Sequence, residues 1–143
     1  MIEMQEYVGN ELELGPSKPN GTWRIYTYIK IEGKILKKVA IKGNLDVVLR
    51  DQFKREGPCK LWVINWLFRP LIVAITQDDG QTFRQSLAFL YGYSGACLLF
   101  ILFSLLHIDN AIGKFSFLLF VVCGLPSFLL IHKIRKVSAD HSY

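Results

Sequence analysis

The side chains able to do acid–base, nucleophilic or metal chemistry are few in this chain, and their spacing keeps them apart. His107 and Asp109 stand two positions from each other, and His132 and His141 follow. A general acid–base pair or a metal site would have to be assembled from these, because both need several such groups within a few ångströms. The thiols Cys59, Cys97 and Cys123 are too scattered for a disulfide framework or a metal quartet, and they read most simply as three small buried side chains. GxSxG, HExxH, paired CxxC and phosphate-cradling glycine loops are all missing from the sequence. The carboxylates of the N-terminal part fall mostly in turns, on a helix or in an acidic arm. The sequence therefore points away from an enzyme and asks for no cofactor and no metal.

A second kind of chemistry is recognition. Arg24, Tyr26, Tyr28 and Lys30 alternate along one stretch, and Lys37 and Lys38 follow closely. Interleaved in this way, aromatic rings can stack on nucleobases while the cations track phosphates. The same pattern also describes an ordinary exposed sheet face whose tyrosines and lysines pair across strands, so nucleic acid is the weaker of the expected partners. A third constellation joins Trp62, Trp66 and Arg69 to Lys133, Arg135 and Lys136. With the indoles and Phe68 at headgroup level and cations reaching for phosphate, they would form a membrane interface that reads anionic lipid.

Two apolar runs must position everything else. Residues 85–108 carry no charge except at His107, and 115–134 carry only His132 and Lys133. Runs of about 20 residues rising about 1.5 Å each match a hydrocarbon core of about 30 Å, so the pair is expected as a transmembrane helical hairpin with a short loop at 109–114. His107 and Asp109 then lie on one side of the bilayer and His132 on the other, which rules out a shared site. Ala88, Gly92 and Ala96 recur every four residues and would let the second helix approach, with Cys123 and Ser127 as its small contacts and Pro126 as an expected kink.

The remainder reads as an acidic arm, a basic body and a short tail. The arm, residues 1–21, carries Glu3, Glu6, Glu11 and Glu13, has in residues 5–15 an alternating start that fits an edge strand, and ends in a Pro/Gly-rich linker expected to hold no ladder. From Lys18 to Arg69 there are twelve basic residues against Glu32, Asp46, Asp51 and Glu56. Within residues 22–84, Trp23, Ile25, Thr27, Ile29 and Ile31 are expected to face a core and the Arg24–Lys30 set to face out. A hairpin partner at 35–42, a helix capped by Asn44 with Leu45, Val48, Leu49 and Phe53 inward, and further strands at 60–65, 71–77 and 81–83 complete the pattern. The fold class is α+β: a small, mainly β barrel-like domain of the oligonucleotide-binding or SH3-like type, about five strands and one helix, followed by the helical hairpin. Residues 135–143 form the basic-to-polar tail. Positive residues flank the outer ends of the hairpin, which predicts cytoplasmic N- and C-termini. The expected function is a non-enzymatic integral membrane protein whose β domain serves a membrane complex as an interaction, accessory or regulatory module, through a protein partner or a second copy. An immunity-type protein that neutralises a membrane-acting toxin, or a tethered binder of anionic lipid or nucleic acid, is the alternative.

Overall fold

The computed structural model describes residues 3–66 and 68–143. Among these residues the chain forms a mixed sheet of nine strands and three helices, two of the helices long and apolar. The strands are β1 (Met4–Gly9), β2 (Leu12–Leu14), β3 (Ser17–Asn20), β4 (Trp23–Ile31), β5 (Lys34–Lys42), β6 (Cys59–Trp66), β7 (Arg69–Thr76), β8 (Thr82–Arg84) and β9 (His141–Ser142). The helices are α1 (Gly43–Arg55), α2 (Ala88–Leu106) and α3 (Ala111–Arg135). Two compact units result: residues up to Gln85 together with Val137–Tyr143, and Ser86–Lys136.

The sheet runs β1-β6-β7-β5-β4-β2, with β3 also on β4 and β8 joining β7 to β9. It is not a closed barrel. β1 and β2 are the two ends of the path, and no ladder joins them. Instead the turn of the β4–β5 hairpin reaches the β1–β2 link, where the Asn10 N–H donates to Glu32 Oε2 at 2.9 Å and the Glu32 N–H donates to the Glu11 carbonyl at 3.2 Å. The turn can be this tight because Glu32 and Gly33 both take positive φ (45° and 77°), which a two-residue hairpin loop requires.

The possible edge strand of the N-terminal arm is present as β1, which pairs only with β6 at the end of the sheet path, and the arm supplies β2 and β3 as well. The Gly15–Gly21 stretch, expected to break any ladder, carries β3. Pro19 is tolerated there because β3 pairs only with β4, so the missing N–H faces away from any partner strand.

The alternation expected along β4 also fails halfway. Ile29 and Ile31 are buried as expected, but so is Tyr26, while Thr27 is exposed. β5 shows the matching break: Val39 and Ile41 point inward and Leu36 packs on the core, with Lys37 and Lys38 both exposed between them. Lys38 sits at φ 53° opposite this break. A left-handed residue in a strand re-aims the side chains that follow it, so one ribbon serves the core with odd positions on one side of the break and even positions on the other. Core side chains from both halves meet Leu45, Val48 and Leu49 of α1 and Leu61, Val63, Ile72 and Ile75 of β6 and β7. Phe53 is half exposed instead, and Gln52 takes the inward place near the end of α1. No side chain caps that helix, and Asn44 lies within its first turn.

In the second unit, α2 and α3 meet along small residues. Ser94, Cys97 and Ser104 are buried on α2, and Gly113, Gly124 and Ser127 on α3, followed by Leu130, Ile131 and Ile134 near its end. The steps of three and seven on α2 follow the heptad period of a helix-pair seam. α3 continues as helix through Pro126. Ser94 and Ser127 share a hydrogen bond of 2.8 Å, and the Ser127 hydroxyl lies 2.7 Å from the Gly124 carbonyl. Phe100 and Phe120 stack with ring centroids 4.6 Å apart.

Candidate functional site

The Arg24–Lys38 face does not present itself as one surface. The phenol of Tyr26 is drawn inward and donates to Asp46 Oδ1 of α1 at 2.5 Å. Arg24 Nε reaches Asp46 Oδ2 at 2.9 Å, and Arg50 Nε, one helical turn beyond Asp46, reaches the same oxygen at 3.1 Å and the Tyr26 oxygen at 3.3 Å. A carboxylate only 5% exposed is thus held by two guanidinium groups and a phenol. Burial, and then the bond to Asp46, push the Tyr26 phenol above its ordinary range. The arrangement ties α1 to β4, and it takes Arg24 and Tyr26 out of the set available to a ligand.

Farther along β4, Glu13 of β2 takes two more members. Tyr28 donates its hydroxyl to Glu13 Oε1 at 2.9 Å, and Lys30 Nζ lies 3.5 Å from Oε2. Tyr28 is raised in pKa by this bond. Lys37 and Lys38 remain exposed. A shallow groove of about 390 Å³ is lined by Glu13, Thr27, Tyr28, Lys30, Ile35 and Lys37. Its most prominent carboxylate already neutralises one of its lysines, which is poor chemistry for tracking phosphates.

The expected helix-packing residues are likewise divided. Ser127 is in the seam. Ala88, Gly92, Ala96 and Cys123 are exposed, and a methyl group built at Gly92 would meet nothing within 4 Å. At Gly124 the same methyl would lie 3.1 Å from the Cys97 Cβ, so Gly124 is the glycine on which close approach depends. Gly113 has no room either, because its methyl would collide with the His107 carbonyl in the loop between the helices.

Of the interface candidates, Trp62 is occupied within the sheet, where its Nε1–H donates to Thr76 Oγ1 at 3.3 Å and Lys60 Nζ sits 4.9 Å over its ring. Trp66 and Arg69 pair across the β6–β7 turn, Trp66 half-buried and Arg69 exposed. On α3 and just after it, Lys133 is half-buried and Arg135 and Lys136 are exposed. Between Trp66 and Arg69, Phe68 is fully exposed at φ 66°. Holding a bulky L-residue in this region costs about 1 to 2 kcal/mol, and leaving its ring in water adds to that cost.

The histidines do not converge. His107 caps α2 and bonds the Phe103 carbonyl through Nδ1 at 3.1 Å, His132 is exposed on α3, and His141 stacks on Phe83 at 5.0 Å. Cys59 and Cys97 are buried, and burial raises the Cys59 thiol above its ordinary pKa.

The features together describe a twisted mixed-sheet domain followed in the chain by a pair of long apolar helices. No family model, curated protein or solved structure matches the chain.

Proposed function

We propose that the chain is a non-enzymatic integral membrane protein, anchored by α2 and α3, whose sheet domain serves a membrane complex as an interaction or accessory module. One observation carries the anchoring: the helix pair is inverted relative to a water-soluble one. Apart from Leu130, Ile131 and Ile134 near the end of α3, its buried residues are Ser, Cys and Gly, while Phe89, Leu99, Leu102, Phe103, Ile112, Phe115, Leu118 and Val122 are more than half exposed. Only 17% and 22% of the most apolar windows of the two helices are buried. A soluble protein would hide such side chains, whereas a bilayer solvates them and leaves polar and small groups to the helix contact. At about 1.5 Å per residue, 19 and 25 residues are long enough for a core of about 30 Å.

The chain's return to the first unit supports an even number of crossings. Val137 accepts a 3.0 Å bond from Arg84, and β9 pairs with β8, so the C-terminal segment and the sheet share one side. The basic residues Arg84, Lys133, Arg135 and Lys136 against the single Lys114 in the connecting loop favour the cytoplasm for that side. The accessory role is favoured over catalysis by the engagement of Asp46, Arg24 and Tyr26 with one another, which buries the carboxylate and the phenol away from substrate.

Two measurements test this. Alkaline carbonate should leave the chain in the membrane pellet, and release into the supernatant would end the anchoring. Isolation in native nanodiscs should recover a membrane-protein partner in fixed stoichiometry; recovery of lipid and further copies of this chain alone would end the accessory role.

A further inference from the structure

We infer that the β6–β7 turn is a membrane wedge, with Phe68 entering the boundary between headgroups and acyl chains and Arg69 and Lys38 holding anionic headgroup phosphates. The inference rests on the anchoring proposed above.

Three independent features of the sheet point to it. Phe68 is fully exposed and held in a left-handed conformation at the tip of a two-stranded turn, a placement that no contact within the fold rewards. The tip also lies at the end of the sheet toward which the chain departs for its apolar helices. β8 runs antiparallel to β7, and the Gln85 N–H donates to the Val73 carbonyl at 2.8 Å. The chain is therefore heading toward Arg69 when it leaves the sheet, with only Ser86 and Leu87 before α2 begins. From Val73 to Arg69 is four residues of strand, about 13 Å. Within the sheet, the strand that leads into α2 thus points along β7 toward the β6–β7 tip.

Cations stand beside the ring. β5 runs parallel to β7 with Ala40 opposite Leu71, and two residues back along that register Lys38 is level with Arg69. Both are exposed. An aromatic ring beside cations is the chemistry of an interfacial anchor: the ring sits in the apolar boundary while the cations remain among phosphates.

The test uses the full chain in nanodiscs, with Cys59, Cys97 and Cys123 replaced by Ala and a single nitroxide-labelled cysteine introduced by Phe68→Cys, Val47→Cys or Leu102→Cys. Relaxation by oxygen and by a water-soluble nickel chelate reads depth. With phosphatidylglycerol mixed into phosphatidylcholine, the label at position 68 should be severalfold less accessible to the chelate than the label at 47 on the exposed face of α1. Adding Arg69→Glu should move position 68 back toward water, as should removing the anionic lipid. Equal chelate accessibility at 68 and 47, with the label at 102 immersed, would overturn the wedge while leaving the anchoring intact. A water-accessible label at 102 would instead overturn the anchoring and the wedge with it.

Discussion

The two units bury opposite kinds of side chain. In the sheet domain Ile29, Ile31, Ile41, Leu45, Leu61 and Ile72 are inside and lysines are outside; in the helix pair, up to the last turns of α3 where Leu130, Ile131 and Ile134 are buried, Ser94, Cys97, Ser104, Gly124 and Ser127 are inside and most phenylalanines and leucines are outside. The same chain therefore uses two rules for what holds a structure together. Where the hydrophobic effect operates, large apolar side chains close the core and a polar cluster such as Asp46 survives only if every valence is met. Where the surroundings are themselves apolar, expelling them gains little, and cohesion comes from backbone proximity and short hydrogen bonds. Substitutions that exchange these rules should separate the units.

The largest effect is expected at Asp46. Asp46→Ala leaves Arg24, Arg50 and the Tyr26 phenol facing a void. Removing one member of a buried ion pair typically costs 3 to 5 kcal/mol, and the partial exposure of both arginines lets them turn to water, so about 3 kcal/mol is expected. Trp23, Trp62 and Trp66 all lie in the sheet domain, so tryptophan fluorescence reports its unfolding alone. The melting temperature read in this way should fall by more than 10 °C, at about 4 to 8 °C per kcal/mol. An unchanged midpoint would show that the cluster is dispensable.

Gly124→Leu comes next, and it acts only on the other unit. Even a methyl group at this position sits 3.1 Å from Cys97 Cβ, so a branched side chain must force the helices apart at about 1 to 3 kcal/mol. Titration of the reconstituted chain with a denaturing detergent, followed by far-ultraviolet circular dichroism, should show earlier loss of the helix pair while the tryptophan signal holds. A simultaneous loss of both signals would mean that the units are not separable in this way.

How much of this was legible in the sequence follows from the range of the forces involved. The two apolar helices were legible because a run of uncharged residues is a local property. So were the β4–β5 hairpin and α1, whose periods are short. The inward turn of Tyr26 was not, because it depends on Lys38 taking φ 53° and on Asp46 waiting twenty positions away. A carboxylate in the first turn of a helix reads as ordinary complementation of the helix dipole. β3 was hidden by Pro19, whose tolerance depends on being at an edge. The helix seam was present as Ser94, Cys97 and Ser104 in steps of three and seven, but the four-residue repeat of Ala88, Gly92 and Ala96 was the louder signal. Phe68 was legible as a headgroup-level ring beside Arg69, but its left-handed backbone and full exposure at a turn are properties of the folded chain.

Tyr26→Phe should have a smaller, pH-dependent effect. It removes the bond donated to Asp46 and the longer one accepted from Arg50, about 1 to 2 kcal/mol at neutral pH. The folded-state pKa of the native phenol is raised above the ordinary value of 10.0 by burial and then by Asp46. Its protonated form is favoured by folding, so the stability it contributes is complete below pH 10 and is lost as pH rises through the folded value. Chemical denaturation followed by tryptophan fluorescence should show the gap between the two proteins narrowing above pH 10. A gap that stays constant up to strongly alkaline pH would remove the phenol from the cluster. In the helix pair the corresponding deletion, Ser127→Ala, should cost only about 0.6 kcal/mol, because in the apolar surroundings Ser94 finds other backbone acceptors.

The smallest effect is expected at Gly92, and there the comparison between the units is most exposed to refutation. A stripe of small residues invites the idea of a helix contact, yet Gly92 faces open space and is not in the seam. Gly92→Leu adds an apolar side chain to a face that is already apolar. If that face meets only lipid, the change should be worth less than about 0.5 kcal/mol to the helix pair and leave the sheet domain's melting temperature unchanged. A marked loss of assembly in nanodiscs with the helix pair itself intact would show that the stripe contacts another helix. The outer face of α2 would then obey the seam's rule of close approach.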